Sequence, residues 1–115
     1  MRDNNEDSVA TDPVNGLAVL ADGMGGYNAG EIASGMATAF IRADLGRWLS
    51  EVGKKATSAE IGRAMSLCVD KTNQSIFNSA ASNPQYSGMG TTLVVAVFRH
   101  QRLMLGHIGD RKSVV

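Results

Sequence analysis

Leu17-Ala18-Val19-Leu20-Ala21-Asp22-Gly23-Met24-Gly25-Gly26 decides how this 115-residue chain is read. Five apolar residues make a strand, and the strand ends by delivering one carboxylate into a glycine-rich turn. Just upstream stand Arg2, Glu6 and Asp7. Carboxylates at a strand end, with freed backbone around them, suit hard divalent cations. An arginine beside such a site suits phosphate. Together these residues point to metal-assisted phosphoryl chemistry. The plain alternatives are a strand-to-helix turn in which Asp22 satisfies local amides, and a solvated charged terminus.

Upstream of the strand, Asp12-Pro13-Val14-Asn15-Gly16 carries hairpin punctuation, so Ser8–Thr11 and Leu17–Ala21 are expected to pair antiparallel. Downstream, Asn28 and Glu31 have capping-box spacing, and Ile32, Met36 and Phe40 recur every fourth residue. This predicts a long helix with an apolar face continuing through Leu45, Trp48, Leu49 and Val52; Gly46 weakens its middle by about 1 kcal/mol relative to alanine. Gly53-Lys54-Lys55 interrupts the pattern, and Thr57 with Glu60 offers a second capping box. Ile61, Met65, Cys68, Val69, Thr72 and Ile76 then keep helical spacing, and Ser79 to Gly88 reads as a loop. Thr91–Phe98 reads as a strand covered on both faces, joined by His100-Gln101-Arg102 to a last strand, Leu103–Ile108. Strand pairs separated by a helix pair imply an α+β architecture, with helices layered on a mostly antiparallel sheet.

Eleven basic residues balance eleven acidic ones, so net charge gives no reason to expect a nucleic acid or an anionic membrane as partner. The single cysteine, Cys68, excludes an internal disulfide framework and fits a reducing, cytoplasmic setting. It lies on a helix core face without a basic sequence neighbour, which favours a structural role. Glu6 and Asp7 are adjacent and point to opposite faces of an extended segment, so one would face the site and the other would support it from behind. Arg2, four residues before Glu6, shares Glu6's face if the segment is extended. Asp110, beyond the last strand, could join the acidic cluster.

Four motifs occur in order: Arg2 with Asn5-Glu6-Asp7; Asp22-Gly23-Met24-Gly25-Gly26 with Ala29-Gly30-Glu31-Ile32-Ala33-Ser34; Gly88-Met89-Gly90-Thr91-Thr92; and Gly106-His107-Ile108-Gly109-Asp110. The set resembles the amino-terminal motifs of the PP2C-type (PPM) metal-dependent protein serine/threonine phosphatases, and Met24 in the glycine turn resembles the bacterial branch. The resemblance implies a β-sandwich flanked by helices, with two Mn²⁺ or Mg²⁺ ions at one end. It implies Glu6 and Asp22 as direct ligands, Asp22 bridging the ions, the Gly23 carbonyl as another ligand, and Asp7 supporting the shell. Arg2 would hold the substrate phosphate, and Asp110 would serve an additional, weaker metal position. The implied reaction is hydrolysis of phosphoserine or phosphothreonine in proteins by an activated water, opposing a serine/threonine kinase. Some members carry a histidine after the Asp-Gly pair; here Met24 stands there, and it cannot donate a proton.

The family domain is about twice this length, and its later half supplies two further aspartates that have no candidate after Asp110. Gly109-Asp110-Arg111-Lys112 also replaces the usual Gly-Asp-Ser-Arg. The chain is therefore expected to be a partial domain over residues 1–115, truncated or frame-shifted, lacking a first strand and the carboxy-terminal half. Such a piece is expected to be inactive or nearly so alone. The rival expectation is a non-catalytic binding module of pseudophosphatase type, acting through an exposed sheet. A nucleotide-binding reading of the glycine turn ranks last, because a Walker lysine and a dinucleotide fingerprint are both missing.

Overall fold

The computed structural model describes residues 7–25, 28–86 and 88–108, apart from the side chains of residues 107 and 108. Strand β1 (Asp7–Asp12) turns through a 3-10 segment at Pro13–Asn15 into β2 (Leu17–Met24). Gly16 makes the turn with φ +67, and an added Cβ would lie 2.5 Å from the Phe98 carbonyl oxygen, so only glycine fits. Helices α1 (Ala29–Val52) and α2 (Ser58–Ser82) follow, then strands β3 (Gly90–Arg99) and β4 (Arg102–Ile108). The sheet is antiparallel in the order β1-β2-β3-β4, and both helices lie against one face of it. This is the α+β layering expected from the sequence.

Helix α2 forms where its signals say. Thr57 Oγ1 accepts from Glu60 N at 3.1 Å while Glu60 Oε1 accepts from Thr57 N at 2.9 Å, closing the capping box. Its buried face is Ile61, Met65, Cys68, Val69, Thr72 and Ile76. The helix runs past Ser79 to Ser82, whose hydroxyl donates back to the Asn78 carbonyl oxygen at 2.6 Å. Composition suggested a loop there, but the backbone continues because Ala80 packs against the core and the exposed Ser82 hydroxyl bonds within the helix.

Helix α1 departs further from expectation. Its sheet-facing stripe is Ala29, Ala33, Ala37, Ile41, Leu45 and Leu49, all buried, whereas Ile32 and Met36 are half-buried and Phe40 is 36% exposed. Small residues let the helix axis come close to β2, and the larger residues are left to the flanks. Asn28 sits at the N-cap position but makes no side-chain capping bond, so the box read from Asn28 and Glu31 does not form. Gly46 leaves the helix continuous; a Cβ there would lie 3.0 Å from Asp12 Oδ2, and Asn15 Nδ2 donates to its carbonyl oxygen at 3.4 Å.

Strand alternation then divides the sheet. Leu17, Val19, Ala21, Leu93, Val95 and Val97 form the core beneath the helices. The opposite face carries Val9, Leu20, Val94, Phe98, Leu103 and Leu105, all exposed. The double coverage expected of Thr91–Phe98 is therefore absent among the described residues: the continuous apolar run reflects an apolar outer face as well as a buried inner one.

Two substitutions separate the observed α1 face from the expected one. Ala37→Leu should cost about 1–3 kcal/mol by overpacking against the sheet, whereas Phe40→Ala should cost about 1 kcal/mol or less. Urea denaturation of both variants, with unchanged m values, checks the ranking.

Candidate functional site

Because Ala21 points into the core, Asp22 must point out of the opposite face. The strand does not end there. It continues through Gly23 and Met24 in register with Thr91 and Gly90, so the glycine turn begins only at Gly25. Gly23 serves close approach rather than bending: a Cβ at this position would sit 1.8 Å from the Gly30 carbonyl oxygen in the first turn of α1. Gly25 has φ +144 and packs against Ala29 and Met89. The strand end is thereby clamped to the start of α1, with Asp22 held on the far side.

Asp7 is the direct cross-strand partner of Asp22, and Thr92 is its partner on the other side. Directly opposed residues share a face, so Asp7, Asp22 and Thr92 form one row across the outer face at one end of the sheet. Like charges so placed repel, and a divalent cation between them turns that repulsion into attraction. The donor set therefore fits a hard cation, although no group of three or more His, Cys, Asp or Glu gathers among the described residues. Arg2, Glu6 and Asp110 lie outside the described residues.

Thr92 is the residue that motif reading left without chemistry. It shares a face with Asp22 only because β2 and β3 pair in this register, and no local sequence signal carries that fact.

Cys68 is not part of this site. It is 3% exposed, and burial, reinforced by the Asp44 carboxylate and partly offset by Lys71, pushes its thiol from the usual 9.0 up to about 12. The thiolate that nucleophilic chemistry requires does not form near neutral pH.

The Protein phosphatase 2C family model matches residues 2–115. Serine/threonine phosphatase stp of Listeria innocua is 33% identical over 101 residues, covering 84% of this chain and 37% of that protein. Serine/threonine protein phosphatase PstP of Mycobacterium tuberculosis is 36% identical over 113 residues, covering 98% of this chain and 20% of its own length. The crystal structure of the PstP catalytic domain in complex with two manganese ions superposes with a TM-score of 0.71 at 36% identity, covering 96% of this chain and 44% of that one. The chain thus spans between a fifth and a half of the proteins it matches. Among the described residues, no helix is long and apolar enough to cross a membrane.

Two measurements follow from this geometry. Gly23→Ala should lower stability by about 3 kcal/mol, because helix and strand must part to admit one methyl group; thermal unfolding reads it. For Cys68 the native thiol keeps its proton while the unfolded chain releases it from about pH 9. Its stabilising contribution is therefore whole below pH 9 and declines between pH 9 and about 12. Unfolding free energy should fall across that window, and less steeply in Cys68→Ala.

Proposed function

The chain belongs to the protein phosphatase 2C family, and from that premise we propose that it forms the metal-binding amino-terminal part of a phosphatase acting on phosphoserine and phosphothreonine in proteins. The observation that carries the reading is the Asp7–Asp22 pair, opposed across β1 and β2 at one end of the sheet's outer face. Asp22 would supply carboxylate oxygens to Mn²⁺ or Mg²⁺, and Asp7, to which the resemblance gives only a supporting role, stands in register beside it and would join it as a ligand. The Thr92 hydroxyl is in register to donate to the Asp22 carboxylate and fix its orientation. Glu6 and the Gly23 carbonyl are further candidate ligands, Asp110 would serve a weaker position, and Arg2 would hold the phosphate through its planar fork. Divalent cations held there supply a nucleophilic water at neutral pH and offset the charge on the phosphoryl oxygens. Met24, next to Gly23, has no proton to give, so the leaving alkoxide takes its proton from water rather than from this side chain.

In this reading, residues 1–115 are a partial domain, and the apolar outer face of the sheet lies against the second layer of a β-sandwich. The phosphoprotein substrate and an opposing serine/threonine kinase follow from the same reading. The 115-residue chain alone is expected to be inactive or nearly so, because two or three carboxylates leave two hard cations short of oxygen ligands.

A second reading is supported by the outer face itself. Val9, Leu20, Val94, Phe98, Leu103 and Leu105 are exposed together, a continuous patch of the kind that marks interaction surfaces. A non-catalytic module would use it to dock a partner.

The purified chain, supplied with Mn²⁺ and a phosphothreonine peptide, should release no phosphate above the metal-only blank. It should bind Mn²⁺ weakly, with Kd above about 10⁻⁴ M, and Asp22→Asn should abolish that binding. Turnover that vanishes in Asp22→Asn would refute inactivity of the lone chain. Mn²⁺ binding unchanged by Asp22→Asn would refute the metal site.

A further inference from the structure

The helix pair has an outer side that the sheet does not use. A hollow of about 820 Å³ opens there between α1 and α2, with Trp48, Val52, Ala64 and Leu67 around it. A smaller one, about 240 Å³, continues past Leu67 toward Cys68 and Lys71. Leu67 borders both and is 57% exposed. Both helices lie against one face of the sheet, and the second sheet of a sandwich would lie on the other. This side is therefore the outside of the molecule with or without that layer.

The exposed face of α2 carries charge in a definite order. Glu60, Arg63, Asp70 and Lys71 are all exposed, and among the described residues none of them makes a salt bridge. Glu60 gives one oxygen to the capping bond from Thr57 N and has a second. Arg63 and Asp70 are seven residues apart, and Glu60 and Lys71 eleven, close to two and three whole turns. Each pair therefore lies along its own edge of the face, with Leu67 between the edges. A two-fold axis that runs across two packed helices reverses their direction and keeps each edge on its own side. Arg63 then meets Asp70 of a second copy, and Glu60 meets its Lys71. The axes that the two pairs require agree within one residue, at Ser66–Leu67 and at Met65–Ser66. A parallel pairing would set each charge against its own kind. The same axis places Leu67 of one copy opposite residues 64–66 of the other, at the larger hollow. Ala64 leaves room there, and the half-buried Trp48 is the kind of residue that anchors a contact. Charge order and the position of the hollow, two separate observations, give one register.

We propose that this face binds a second copy of the chain, α2 against α2 and antiparallel, as a symmetric dimer. Leu67 of each copy enters the hollow of the other beside Ala64 and Trp48. The Arg63–Asp70 and Glu60–Lys71 pairs close the two edges, each formed twice by symmetry. Lys71 lies on the edge toward α1, and Glu51 rims the hollow on that side as well. A contact of one helix face per copy belongs to the small, transient class of interface. It stands apart from the Asp7–Asp22 row and leaves the outer face of the sheet uncovered.

The test is sedimentation equilibrium of the whole chain. A monomer–dimer equilibrium is expected, and raising the salt should weaken it because the edge pairs are screened. Arg63→Glu sets like charges together on both sides of the axis and should weaken the dimer about tenfold. Asp70→Arg should do the same. Both changes in one chain should restore the dimer, since the pairs re-form with their signs exchanged. Leu67→Asp should leave only monomer. The three positions are exposed, so circular dichroism should report the same helix content in every variant. A chain that stays monomeric up to about 1 mM would overturn the proposal and leave the hollow to a different partner. Failure of the double variant to recover would overturn the antiparallel register. A dimer that survives Leu67→Asp and is lost in Leu105→Asp would place the contact on the outer face of the sheet and overturn the helix contact.

Discussion

Helix α1 reaches the sheet only because its inner face begins with Ala29, Gly30, Ala33 and Ala37, and the rest of the architecture depends on that close contact. The contact is tightest where the Gly30 carbonyl meets Gly23, a place with no room for a side chain on the strand. Once that side of β2 is committed to the helix, period-two alternation leaves Asp22 no choice but the other side. Pairing then carries Asp7 and Thr92 to the same row. The chemistry of the site thus follows from a packing constraint on the opposite face of the same strand.

The elements that announced themselves in the sequence are those whose signal is local. Hairpin punctuation at Asp12–Gly16 and the Thr57–Glu60 box both act through bonds between near neighbours, and both are present. The α2 face could be read because large apolar residues mark it. The α1 face could not, because alanine and glycine carry little hydrophobic signal, and the conspicuous Ile32, Met36 and Phe40 lie on the flank. Gly23 showed the same difficulty: its composition signals a turn, while its use is contact with a helix seven residues on. Adjacent residues of an extended segment face opposite ways, but only the pairing register says that Asp7 shares a face with Asp22. Thr92 needed that register as well.

A net charge of zero conceals a polar molecule. On the outer sheet face Asp7 and Asp22 stand together at one end, while Lys54, Arg99 and Arg102 lie at the other, where Asp12 is held by Asn15. Summed charge is uninformative about binding when opposite charges stand well beyond the screening length of about 8–10 Å at physiological salt, as the two ends of β3 do. The neutral composition therefore argues against a uniformly basic surface and says nothing about local clusters of either sign.

The β2–β3 pairing joins Met24 to Gly90 across everything that lies between them, both helices included. Closing so long a loop costs entropy before any contact repays it, so such pairings slow folding. The β1–β2 hairpin and the α1–α2 pair need no such closure. Asp7 and Asp22 can come together on the hairpin alone, while Thr92 joins them, and Arg99 reaches the end of α1, only when the chain closes as a whole. Cooperativity of the fold and completeness of the site are on this account one event, and a chain that frays at β3 loses both at once.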